Sequence, residues 1–247
     1  MLRSPSFENY LEQIYLNKYH QIAVAALKAL RGNDRLDQAT VDHSERTSRM
    51  CQVLGYAAGL KIGTATALSI GAELHDTGKE HCLDIISNGR QITQAERTVV
   101  QQHPEAGKVF SENLFKPDQQ KLIPRLAVLL IGSHHTFNKE SSQDYPAFDT
   151  LGVRSYEVPV LRRVGTLLAV ADTIESLTNA EGRTYRKMRL RQEGIAQNNG
   201  VIGLHEAAGI ACAQIIDIDV RYNMDASRIT DLLAEQTEFL VTQSLAA

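Results

Sequence analysis

The chain has 247 residues, 43% of them hydrophobic and 22% charged, with a formal net charge of -3. That length allows one large domain or two small ones with a sizeable core, and the mild acidity gives no sign of a surface for a nucleic-acid polymer. Cys51, Cys82 and Cys212 are widely separated, which suits reduced thiols better than a disulfide framework or a thiolate zinc site.

The opening segment MLRSPSFENYLEQIYLNKYH carries polar and charged residues throughout, so no secretory h-region is expected. The most apolar runs, around Leu126–Gly132 and Val164–Ala171, are shorter than the ~18 residues of a membrane span. A cytoplasmic protein without a membrane partner is the expectation.

Apolar residues recur at three- and four-residue spacing along nearly the whole chain, which predicts an all-α fold. A first helical stretch is expected over Phe7–Leu30, stopped by Arg31-Gly32-Asn33-Asp34. It would form a short N-terminal helical extension, residues 1–36, ahead of a main domain over 37–247. The extension is a candidate for packing across a homodimer. Helices are then expected over about Val41–Leu60 and from about Thr64 to Gly78, where the glycine suits a left-handed cap. Thr93 and Glu96 form a capping-box pair that starts a helix toward His103. Pro124 and Pro159 suit the first turns of two later helices. The polar stretch from Thr136 to Glu157 is long for a loop inside a compact domain, and so a candidate for function. Two helical segments after about Gly200 should complete the bundle.

Five of the eight histidines fall beside expected helix ends, in company with two aspartates: His43, His75-Asp76, His103, His134-His135 and Asp172. Seven imidazole and carboxylate donors exceed the need of one catalytic ion and suit two, with Asp76 as the natural bridge. Two such ions lower the pKa of a shared water and clamp a phosphodiester for in-line attack. Nitrogen and oxygen ligands without thiolate favour iron, manganese or another first-row ion. Asp172 lies in the apolar segment VGTLLAVADTIESL, where an unpaired carboxylate would cost several kcal/mol, so a metal or a buried ion pair must satisfy it. His20, His81 and His205 stand outside this pattern and carry no expected role.

From His43 to about Met188 the chain resembles the HD superfamily of phosphohydrolases, and within it the HD-GYP family. The residues that carry the likeness are HSER at 43–46, HDTGK at 75–79, HPEAG at 103–107, SHH at 133–135, EVPVLRRVGTLLAVADTIESLT at 157–178 and RTYR at 183–186. The resemblance implies an HD-domain helical bundle around a di- or trinuclear centre of the iron or manganese type, of which the donor set suits two divalent metal ions. It implies a phosphodiesterase that hydrolyses cyclic di-GMP to linear pGpG through a hydroxide shared by the two metals. By position, His43, His75, Asp76, His103, His134, His135 and Asp172 would be ligands, and Lys79 would orient the scissile phosphate or protonate the leaving oxygen. Tyr145, Glu175, Arg183 and Arg186 would contact the substrate; arginine can hold a phosphate bidentately.

The departures from the family fall mostly on the substrate side. Asp144-Tyr145-Pro146 stands where the family has Gly-Tyr-Pro, Thr136 replaces a glutamate, and Glu175 replaces an aspartate. The stretch before Arg183 is about two residues longer than usual. Trinuclear members carry a glutamate where this chain has Ala39, which argues for two metals, although Asp42 offers a carboxylate nearby. The altered loop permits hydrolysis of a different nucleotide or phosphoester; a non-catalytic nucleotide-binding signalling module and a di-iron oxygenase of the same superfamily are further readings.

Overall fold

The computed structural model describes residues 6–88, 90–138, 151–179, 202–215 and 224–234, and these fold as helices with no strand among them. The helices are α1 (Phe7–Tyr15), α2 (Lys18–Gly32), α3 (Gln38–Ala57), α4 (Ile62–Leu74), α5 (Leu83–Ile86), α6 (Gln94–Val100), α7 (His103–Leu114), α8 (Leu122–Ser133), α9 (Val158–Thr178) and α10 (Leu204–Gln214). Residues 226–234 are also helical. Short 3-10 turns cover Thr77–Cys82, Lys116–Asp118 and His134–Phe137. The all-α expectation holds, and none of the described helices is long and apolar enough to cross a membrane.

The expected first helix is two helices. The apolar period runs through Leu16 and Asn17, but the Asn17 side chain accepts a hydrogen bond from Tyr19 N at 3.0 Å and caps α2. Asparagine in that role gives the backbone an alternative to continuing the helix. The stop after α2 lies at Arg31–Asp34 as expected, with Asp34 (φ 56°) taking the left-handed conformation and Gly32 remaining helical. Asp37 caps α3 through Thr40 N at 2.7 Å. That helix ends at Gly59 (φ 64°), with Gly59 N bonded to Tyr56 O and Leu60 N to Gly55 O, both at 2.9 Å. This Schellman pattern uses the one residue type that enters the left-handed region without a Cβ penalty. The Thr93–Glu96 capping box forms as expected, but its helix ends at Val100, and His103 opens a separate helix.

α4 is the axis of the bundle. Every residue from Ala65 to Leu74 is buried, as expected of a helix apolar on all sides. Leu68 and Ala72 face a core shared with α1, α3, α8 and α9, whereas Ile70 and Leu74 face a second core with α2, Phe115 and Ile131. Each fully buried aliphatic side chain of this kind contributes roughly 1.5–3 kcal/mol. Tyr10, Leu11 and Ile14 of α1 enter the first core, and Leu27 and Leu30 of α2 the second. The N-terminal helices therefore bury their apolar faces against the rest of this chain.

A polar seam crosses the α3–α4 interface. Ser48 Oγ lies 3.0 Å from Ser69 Oγ, Gln52 Nε2 donates to Ser69 Oγ at 2.8 Å, and Tyr15 OH donates to Gln52 Oε1 at 3.0 Å. At its end Glu73 is buried, and burial together with the nearby Glu45 charge pushes its carboxyl up to about 8 from an ordinary 4.5. A carboxyl that binds its proton more tightly in the folded state contributes full stability below pH 4.5 and loses it as pH rises through about 8. At ~1.4 kcal/mol per unit, the loss reaches at most about 4 kcal/mol at pH 8. Glu73→Gln keeps the shape and removes the titration. Urea denaturation of the metal-free protein should therefore show the variant gaining on the parent as pH rises from 5 to 8. An equal difference at both values would contradict the buried neutral carboxyl.

Candidate metal centre

The centre lies where helices start and stop. His75 caps the C-terminus of α4, Asp76 follows with φ -98° and ψ 3°, and the 3-10 turn Thr77–Cys82 carries Lys79. His103 is the first residue of α7, and His134 and His135 begin the 3-10 turn that closes α8. His43 lies within the second turn of α3, and Asp172 on α9.

The histidine ring orientations follow from the hydrogen bonds of their outer nitrogens. His75 Nδ1 lies 2.8 Å from Ala72 O, His103 Nδ1 2.7 Å from Val100 O, and His134 Nδ1 2.7 Å from Ile131 O. Each carbonyl belongs to a helix end, where it lacks a helical partner, and a carbonyl only accepts. Nδ1 therefore carries a proton in all three rings, and Nε2 is the nitrogen turned inward. Such outer-nitrogen bonds are the usual way of fixing a metal-binding imidazole.

Those inward atoms converge in two groups, His43–His75–Asp76 and His103–His134–His135, each with its donor atoms within 4.8 Å of one another. His43 Nε2 and His75 Nε2 are 3.1 Å apart, as are His103 Nε2 and His134 Nε2, and His135 Nε2 is 3.3 Å from His103 Nε2. Asp172 Oδ1 joins the first group, 3.0 Å from His43 Nε2 and 3.7 Å from His75 Nε2. Asp76 stands between the groups. Its Oδ2 is 3.5 Å from His43 Nε2 and 3.4 Å from His75 Nε2, while its Oδ1 is 3.5 Å from His103 Nε2. Lys79 Nζ also contacts Oδ2.

Electrostatics favour a cation at both places. Burial, reinforced by the neighbouring His135, lowers His103 to about 3; burial lowers His135 to about 4 and takes His134 well below the usual range. A shared proton therefore cannot relieve the facing lone pairs of the second group. Burial would raise Asp76 and Asp172, but the surrounding histidines, joined by Lys79 at Asp76, outweigh it and hold both well below the usual carboxylate range. Burial alone would lower His75, yet Asp76 and Asp172 hold it above its ordinary value. Neutral imidazoles and ionised carboxylates are the protonation states that bind metal. The donor set fits divalent ions of the first transition row, and no cysteine belongs to either group. His43, His75, Asp76, His103 and His134 are buried, whereas Asp172, His135 and Lys79 are partly open, so the centre reaches solvent on their side.

All seven expected ligands and Lys79 are thus brought together. Glu175, expected among the substrate contacts, is placed differently. Its side chain is 0% exposed, with Oε2 against His43 Nδ1 and Oε1 accepting from Arg46 Nε at 2.6 Å. Asp42 is held by Gln38 of its own helix and belongs to neither ligand group. Tyr145, Arg183 and Arg186 lie outside the described residues. Arg46 was given no role by the sequence; the available signal was its position three residues after His43, on the same helix face. His20 lies buried against the Tyr15 ring, and His81 and His205 are exposed.

No family model matches the chain, and no solved structure matches it. Among curated proteins it is similar to the 3'3'-cGAMP-specific phosphodiesterase 1 of Vibrio cholerae serotype O1, at 26% identity over 192 residues, or 76% of this chain. The match spans 39% of that relative's length.

Proposed function

We infer that this chain, a member of the HD-GYP family, is a metal-dependent phosphodiesterase that hydrolyses a cyclic dinucleotide. The observation that carries the reading is the pair of donor groups sharing Asp76, one carboxylate oxygen toward each. His43, His75, Asp76 and Asp172 would hold one ion, and Asp76, His103, His134 and His135 the other. When bound, a metal pair supplies Lewis acidity toward phosphoryl oxygens and makes water acidic enough to act as nucleophile near neutral pH; iron or manganese suits these ligands.

The chain's own residues divide the remaining work. The buried histidines exclude bulk water and confine the scissile phosphate to the open side, between Asp172, His135 and Lys79. Lys79, in contact with Asp76 Oδ2 and 20% exposed, is placed to turn its ammonium toward a phosphate oxygen and to give a proton to the leaving alkoxide. A compact ammonium on a flexible stem suits that double task. Tyr145, Arg183 and Arg186 are proposed to hold the second phosphate and the bases, as the family resemblance implies.

The substrate is a cyclic purine dinucleotide with 3',5' linkages. Cyclic di-GMP, opened to linear pGpG, follows from the family resemblance; the similarity to a 3'3'-cGAMP phosphodiesterase favours the mixed guanine–adenine ring as a second reading. The two differ at one base, where a 6-oxo and 2-amino edge becomes a 6-amino edge. Anaerobic purification, metal quantification and a panel of cyclic di-GMP, 3'3'-cGAMP, cyclic di-AMP and simple phosphodiesters test the reading. Two metals per chain with turnover of a cyclic dinucleotide are expected. Tight nucleotide binding without turnover in both reduced iron and manganese would overturn it in favour of a signalling module.

A further inference from the structure

His43 differs from the other oriented histidines in what holds its outer nitrogen. His75, His103 and His134 each find a free carbonyl at a helix end. His43 lies inside α3, where nearby carbonyls are already used by the helix. Its Nδ1 instead meets Glu175 Oε2, from a residue 132 positions away on α9. Glu175 sits one turn beyond Asp172, so a single face of α9 presents one carboxylate to the inner nitrogen of His43 and another to its outer nitrogen. Arg46, one turn beyond His43, completes the arrangement. Its Nε donates to Glu175 Oε1 at 2.6 Å while its side chain stays 38% exposed. The guanidinium thus closes the solvent side of a carboxylate that is itself fully buried.

Resting on the reading of two bound ions, we propose that Glu175 is a positioning residue of the metal centre rather than a substrate contact. It fixes His43 as the Nδ1–H tautomer, with Nε2 aimed at the first donor group, and strengthens that nitrogen as a ligand. Arg46 is its counter-charge. A carboxylate on the outer nitrogen of a metal-binding histidine acts in this way generally, and its loss typically costs ~10–100-fold in metal affinity. The effect centres on one ion, because His103 and His134 of the second donor group take their orientation from Val100 O and Ile131 O.

Titration of the metal-free protein with Mn2+, followed by electron paramagnetic resonance, and with Co2+, followed by its visible bands, reads the two sites without substrate. Glu175→Gln should weaken one of the two sites by ~10–100-fold and leave the other within twofold of the parent. Arg46→Gln, which leaves the buried carboxylate in place and alters only a half-exposed side chain, should weaken the same site by a smaller factor. It carries the test if Glu175→Gln fails to fold. A simple brace between α3 and α9 would lower the melting temperature of both variants without moving either affinity, and that result overturns the proposal. An equal loss at both sites overturns it too, as a general loosening. If the parent protein binds neither Mn2+ nor Co2+, the two-metal reading itself falls, and the role of Glu175 with it.

Discussion

Asp76→Ala is expected to lose both metal ions and all measurable phosphodiesterase activity. Asp76 turns one oxygen to each donor group, within 3.5 Å of a histidine Nε2 on either side, so no other single substitution removes a donor from both. Even outer partners of ligands are worth ~10–100-fold each in metal affinity. Losing a direct donor at two sites should therefore reduce full occupancy by more than ~10³-fold. The variant also strands Lys79, whose ammonium contacts Asp76 Oδ2, and so displaces the group assigned to the scissile phosphate. Asp76→Asn sharpens the test. An amide offers one oxygen and one nitrogen that cannot ligate, so it should hold a single ion and still show no turnover. Metal analysis of anaerobically prepared protein, with a circular-dichroism melt to confirm folding, gives the outcome. Two ions per chain in folded Asp76→Ala would end the bridging assignment.

How much of this could be read from the sequence divides along physical lines. The clustering of the seven residues was legible because residue type limits what can bind a metal and because His75, Asp76, His103, His134 and His135 stand at helix ends; His43 and Asp172 lie inside α3 and α9. The helices were legible from their apolar period. The break at Leu16–Asn17 was not, since the period continues across it and only the Asn17 side chain interrupts the backbone. The contacts of Glu175 with His43 and Arg46 were not legible for a different reason. Its position after Asp172 was plain, but its partners on α3 depend on how α3 packs against α9, which no local pattern encodes. Gly78 was read as a left-handed helix cap, yet α4 ends at Leu74 and Gly78 lies within the 3-10 turn, absent from the glycines of positive φ. It is a glycine for a reason of space.

That space makes Gly78→Ala the second large effect. A Cβ on Gly78 would stand 1.9 Å from His103 O, 2.6 Å from Gly107 N and 2.8 Å from His103 C. All three are backbone atoms of the first two turns of α7, so no side chain can swing aside. Restoring an ordinary contact of ~3.5 Å requires the 3-10 turn and α7 to separate by about 1.5 Å. Asp76 and Lys79 ride on one side of that gap and His103 on the other, so the separation pulls His103 Nε2 from Asp76 Oδ1, now 3.5 Å away. Misplacement of about 1 Å commonly costs ~10²-fold in rate, and overpacking adds roughly 1–3 kcal/mol of destabilisation. Gly78→Ala should therefore fold less stably, lose the ion held by His103, His134 and His135 first, and fall at least ~10²-fold in turnover. Gly59→Ala is the control. Its positive φ of 64° costs roughly 1–2 kcal/mol of backbone strain, with nothing within 4 Å of the new methyl. The control should thus be destabilised to a similar degree while keeping both ions and its rate. Equal metal content in the two variants would show that the close approach at Gly78 serves stability alone, whereas selective loss in Gly78→Ala ties this glycine to the spacing between the two halves of the centre.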